Sequence, residues 1–156
     1  MYNQKKLDHY SQKVNDFLKK NYPSILESPY RISFHQNEDI ETVFLEIKIK
    51  SFSEERNTNL ILNSQDEKIT IGFCSHHCHF GGWYESKFEE DIKDAISTIK
   101  KIREGELIVA EYYRDEKFVG SVFIKKQEQF DEKKLLKEWK SGKPNRINFE
   151  RFRLNE

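Results

Sequence analysis

Between Tyr30 and Phe73 four runs carry apolar residues at every second position: Tyr30, Ile32, Phe34; Val43, Leu45, Ile47, Ile49; Leu60, Leu62; Ile69, Ile71, Phe73. A period of two sends alternate side chains to opposite faces of an extended chain, so each run reads as a strand with one buried and one wet face. The polar segments Gln36-Asn37-Glu38-Asp39 and Ser64-Gln65-Asp66-Glu67 lie between runs and suit hairpin connections. Connections this short join neighbouring strands only as antiparallel pairs. Four successive antiparallel strands follow, with one face that other elements must cover.

Two helical patterns supply the cover. Leu7, Tyr10, Val14, Phe17 and Leu18 predict a helix from Asn3 to Lys20, closed before Pro23, which has no N–H to donate. Ser86-Lys87-Phe88-Glu89 has the form of a capping box, and Phe88, Ile92, Ala95, Ile96, Ile99 and Ile102 carry an apolar face onward from it. Lys100, Lys101 and Arg103 suit the negative end of that helix, and Gly105 suits a left-handed stop. Two more strands, Leu107 to Tyr113 and Phe118 to Ile124, flank a turn at Arg114-Asp115-Glu116-Lys117. A last helix is expected from Asp131 through Leu135, Leu136 and Trp139 to Gly142, and Phe149, Phe152 and Leu154 read as an added edge strand or a packed tail. The expectation is a single α+β domain spanning residues 1–156, with a mostly antiparallel sheet of about six strands and two to three helices packed on it.

Composition narrows the function. At 156 residues the chain can bury roughly two-thirds of its unfolded surface, so folding requires no metal or disulfide. Charged residues make up 35% of the chain, but twelve Phe, seven Tyr and two Trp provide the apolar surface that disordered segments lack. Lys plus Arg and Asp plus Glu balance at 27 each, without the basic excess of a dedicated nucleic-acid binder. No apolar run approaches the ~18 residues of a membrane span, and Met1 to Asp8 lacks a signal-peptide core, so a cytoplasmic location is expected. There, two cysteines four positions apart read as reduced thiols.

The segment Cys74-Ser75-His76-His77-Cys78-His79-Phe80 holds three of the five histidines and both cysteines. If the strand ending at Phe73 runs straight on, its parity carries Ser75, His77 and His79 to the covered face, with Glu89, Glu90 and Asp91 as hydrogen-bonding acids and His76 left more exposed. A zinc site needs three or four ligands, and the alternative set Cys74, His77, Cys78 and His79 requires a turn at Ser75. A thiol enzyme would pair Cys74 or Cys78 with a histidine base, yet no separate segment supplies a third member. No catalytic residue, metal or other cofactor is therefore assigned. The cysteines read as half-buried packing residues. His76, His77, His79, Phe80, Trp83, Tyr112 and Tyr113 are the candidate contact residues for a ligand or partner.

The His77-Cys78-His79-Phe80 strand end, the helix from Phe88 to Arg103, Glu104-Gly105-Glu106-Leu107-Ile108-Val109 and the Phe118-Val119-Gly120-Ser121 hairpin together resemble immunity-type proteins of bacterial polymorphic toxin systems. The resemblance runs from about Glu67 to Lys125, and where the family commonly continues with an acid after His-x-His-Phe this chain has Gly81-Gly82. It implies a small cytoplasmic α+β protein that binds and blocks a cognate toxin domain, with no nucleic-acid or membrane partner. A small metal-dependent or thiol enzyme built on Cys74 to His79 and a regulatory or structural interaction module are the alternatives.

Overall fold

The structure is a computed structural model that describes residues 7–26, 31–36, 43–50, 59–82, 87–126 and 131–153. The chain is α+β, with three helices and eight strands among the described residues. Strands β1 (Arg31–Gln36), β2 (Val43–Ile49), β3 (Leu60–Asn63), β4 (Lys68–Phe73) and β5 (His76–Gly81) form one sheet in chain order, every pair antiparallel. Strands β6 (Leu107–Arg114), β7 (Lys117–Lys125) and β8 (Arg146–Glu150) form a second antiparallel sheet in the order β7-β6-β8. The strands thus divide over two sheets, where the sequence pattern suggested one of about six strands.

The alternation in β2 to β4 is realised. Val43, Leu45, Ile47, Ile49, Leu60, Leu62, Ile69, Ile71 and Phe73 are all buried and share one face. Helices α1 (His9–Asn21) and α2 (Phe88–Arg103) cover that face, α1 with Val14 and Leu18 and α2 with Ile92, Ala95, Ile96, Ile99 and Ile102. Each buried aliphatic side chain contributes about 1.5–3 kcal/mol by leaving water. Helix α1 begins later than its apolar spacing suggests because Leu7 forms a parallel bridge to Val43 and the Asp8 N–H bonds the Val43 carbonyl oxygen at 2.9 Å. Asp8 then caps the helix, its Oδ1 accepting the Ser11 N–H at 2.8 Å. A buried chain of hydroxyls ties this helix to the sheet. The Leu45 N–H donates to Ser64 Oγ at 2.9 Å, Ser64 and Ser11 Oγ lie 2.6 Å apart, and Ser11 Oγ donates to Asp8 Oδ2 at 2.8 Å. Since the Ser11 proton goes to Asp8, Ser64 is the donor between the two serines.

The expected capping box at Ser86 is not the helix start. The N-cap of α2 is Lys87, without a side-chain cap, and Ser86 lies outside the described residues. Three acids in the first turn, Glu89, Glu90 and Asp91, meet the positive end of the dipole instead. The stop is as expected: Gly105 has φ +74°, the Glu106 N–H bonds Lys101 O at 2.8 Å and the Gly105 N–H bonds Ile102 O at 3.1 Å, the paired bonds of a Schellman motif.

The second sheet has a core of its own, with Ile108, Ala110, Tyr112 and Ile124 buried beneath Leu135 and Leu136 of α3 (Glu132–Glu138) and Trp139. Helix α3 ends before the expected Gly142, because Trp139 leaves it to stack on Tyr112 with ring centroids 4.1 Å apart. The same indole lies over Gly120, the partner of Tyr112 on β7, where an added Cβ would come within 2.4 Å of the ring. Gly120→Ala should therefore displace Trp139 and cost about 1–3 kcal/mol of unfolding free energy. Urea denaturation checks this, with indole fluorescence read in a Trp83→Phe background.

Candidate recognition site

The Cys74-Ser75 dipeptide, expected to lie on a continuing strand, is a two-residue turn between β4 and β5. Cys74 takes φ +53° there, a conformation that costs a non-glycine residue about 1–2 kcal/mol. Such a turn places the flanking residues opposite one another, so Phe73 pairs with His76, Ile71 with Cys78 and Ile69 with Phe80. Opposed residues share a face. His76, Cys78 and Phe80 consequently point toward the core, while His77 and His79 point to solvent. The expectation that His77 and His79 are the more buried histidines is reversed: they are exposed and His76 is half-buried.

The outward pair is ordered by local contacts. His79 Nδ1 lies 2.8 Å from Thr70 Oγ1 on β4, and the His77 and His79 rings are 5.1 Å apart. His79 hydrogen-bonds Thr70, not the acids of α2 expected as its partners. Its proton affinity is lowered by loss of solvent, then by the Lys68 charge and by His77.

The turn is fixed to the second sheet. Ser75 Oγ donates to Glu111 Oε1 at 2.6 Å, and Glu111 Oε2 accepts from Tyr113 Oη at 3.1 Å and from Asn148 Nδ2 at 3.2 Å. Glu111 is only 2% exposed. Beside it, Ser121 Oγ on β7 donates to the Ser75 carbonyl oxygen at 3.1 Å and lies 3.1 Å from His76 Nδ1. Ser121 Oγ thus lies within bonding distance of both the Ser75 carbonyl oxygen and the His76 ring, and braces the turn against β7. The His76 ring stands edge-on to Phe123 at 4.5 Å, and its proton affinity is lowered by burial and then by His77, against an opposing hydrogen bond to the Ser121 backbone. The near-continuous apolar run from Leu107 to Tyr113 hid this centre, yet Glu111 is the one carboxylate in that strand and was its only signal.

The remaining candidates separate. Phe80 is half-buried against the main core. Tyr112 is 2% exposed under Trp139 and offers no surface. Half-buried Tyr113 lies beneath the Arg146 guanidinium at 4.3 Å, and Trp83 lies outside the described residues. Both cysteines are half-buried thiols outside any disulfide, and burial pushes the Cys78 thiol up to about 11. The alternative metal set is not assembled, because the hairpin puts Cys78 on the core face and His77 and His79 on the other, with Cys74 in the turn. Among the described residues no three His, Cys, Asp or Glu side chains converge as a ligand group, and no helix is long and apolar enough to cross a membrane. No protein-family model, curated protein or solved structure matches this chain.

Two outcomes follow from the geometry. Glu111→Ala should lower unfolding free energy by about 2–4 kcal/mol, since three donors lose a buried acceptor, and a double-mutant cycle with Ser75→Ala should show coupling of about 0.5–3 kcal/mol. His76 holds its proton more weakly in the folded chain than at its ordinary value of 6.5. Its contribution to stability is thus present above that pH and is lost as pH falls through the lower folded value, where the unfolded chain binds more protons. The urea midpoint should drop as pH falls from about 7 through the ordinary imidazole range, and His76→Gln should make that drop shallower.

Proposed function

We propose that this chain is an immunity-type protein that neutralises a cognate bacterial toxin domain by direct association. The observation that carries this reading is the outward imidazole pair of His77 and His79, presented on a hairpin whose turn is tied down by hydrogen bonds to Glu111 and Ser121. A surface held this way has little conformational freedom to lose on binding, which favours recognition by a preformed patch. The neighbouring chemistry supports binding over turnover. The Cys78 thiol faces the core with its proton held tightly, Ser121 Oγ lies against the Ser75 carbonyl oxygen, and the His76 ring is packed on Phe123.

The charge distribution suits discrimination between partners. The first turn of α2 is acidic with Glu89, Glu90 and Asp91, while Lys140, Lys143, Arg146, Arg151 and Arg153 are exposed beyond α3. Separated patches of opposite sign within a neutral chain steer a complementary partner and repel others.

Co-expression with the toxin gene adjacent to this chain's own is the test. Cells are expected to survive with the wild-type protein, and His77→Ala with His79→Ala should weaken the purified complex about tenfold or more. Equal killing with and without the well-expressed protein would rule the reading out.

A further inference from the structure

Among the described residues β5 has a hydrogen-bonded neighbour on one side only, β4. A two-residue turn makes Phe73 and His76 a hydrogen-bonded pair, and alternation makes Ile71 with Cys78 the next. The N–H and C=O groups of His77 and His79 therefore point away from β4, along the free edge. These are the same two residues whose side chains are exposed. The edge closes at Gly81, which is buried with φ +86° and would place a Cβ 3.0 Å from Asp91 Oδ2 of α2.

Free strand edges invite pairing, and chains usually guard them with fixed charges, proline or a bulge. Strand β7 is guarded in this way, by exposed Lys117 and Lys125 and by a bulge opposite Tyr112 and Tyr113. Strand β8 carries Arg146 and Glu150. From His76 to Gly81, β5 has no lysine, arginine, acid or proline. Its outward groups are two imidazoles, with Lys68 the charged neighbour on β4. Such a row complements side-chain oxygen acceptors, carboxylates above all.

We propose that the partner docks by strand addition, laying an extended segment along the β5 edge so that its backbone pairs with His77 and His79 and its carboxylates face their rings. This rests on the inhibitor reading and specifies how that site engages its partner. Main-chain pairing supplies affinity in this mode, and the alternate side chains supply specificity.

Amide hydrogen exchange by NMR tests it, first on the isolated protein and then with the toxin domain encoded beside this chain's gene. In the free protein the His77 and His79 amides should exchange much faster than that of Cys78. In the complex they should slow about tenfold or more. Either amide being as slow as Cys78 in the free protein, or both being unchanged in the complex, overturns strand addition. A substitution pair gives an independent readout, because proline at an outward position removes only the edge donor. His77→Pro should bind about tenfold or more weakly than His77→Ala, the equivalent of ~1.4 kcal/mol. His79→Pro against His79→Ala repeats the comparison if circular dichroism shows that His77→Pro does not fold. Equal affinities within a folded pair overturn the proposal and leave the inhibitor reading standing, whereas failure of the wild-type protein to bind the toxin domain overturns both.

Discussion

A single buried carboxyl group, Glu111, joins the two sheets of this protein. Its side chain accepts from Ser75 in the β4–β5 turn, from Tyr113 on its own strand and from Asn148 on β8. Burying an acid without partners costs several kcal/mol, so the three donors are the condition on which Glu111 is tolerated. The consequence is directional. A hydrophobic contact between the turn and the second sheet would permit sliding, whereas a 2.6 Å hydrogen bond to one oxygen sets where the turn sits. Ser121 adds a bond to the Ser75 carbonyl, and the hairpin that bears the imidazole pair is anchored at both a side chain and the backbone.

How the histidines are sorted follows from the turn and not from the strand. Ile69, Ile71 and Phe73 were legible as a buried row because period two is a property of the backbone itself. The reversal after Phe73 was not legible. Tight hairpin turns normally announce themselves with Gly, Asn or Asp, and Cys74-Ser75 carries none of these, so the strand seemed to continue. One unrecognised turn moves every following side chain to the other face, which is why the histidine assignments inverted together. The anchoring of Ser75 by Glu111 and Ser121 explains how a non-glycine residue is held at positive φ beside it: contacts made by the turn offset the local strain.

The second sheet illustrates a different limit. Strands β6 and β7 were readable as a hairpin, since two apolar runs flank the charged turn Arg114-Asp115-Glu116-Lys117. The pairing of β6 with β8 was only one of two readings of the C-terminal segment, because it joins residues far apart in sequence and depends on tertiary packing. Tyr112, a candidate contact residue from sequence, is instead buried beneath Trp139. Aromatic residues on a half-buried strand look alike from sequence whether they meet solvent or another ring, and here Gly120 provides the space that lets the indole lie flat against Tyr112. Glycine in the strand interior, normally a weakness, is in this position the requirement of an aromatic lid.

The hairpin divides its reactive groups by face. On the core side, burial holds the Cys78 thiol protonated and weakens proton binding at His76, so both groups stay uncharged near neutral pH. On the solvent side, His79 is held less basic by lost solvation and by Lys68, and the outward row of which it is part carries no lysine, arginine or acid. A row of that kind differs from a lysine edge in one respect that matters for recognition. It does not repel an approaching backbone by demanding full solvation of a cation, and it still offers directional donors to a partner's oxygen atoms. The same neutrality that leaves the strand edge open to pairing therefore suits it to a partner that brings both backbone and acceptor groups in register.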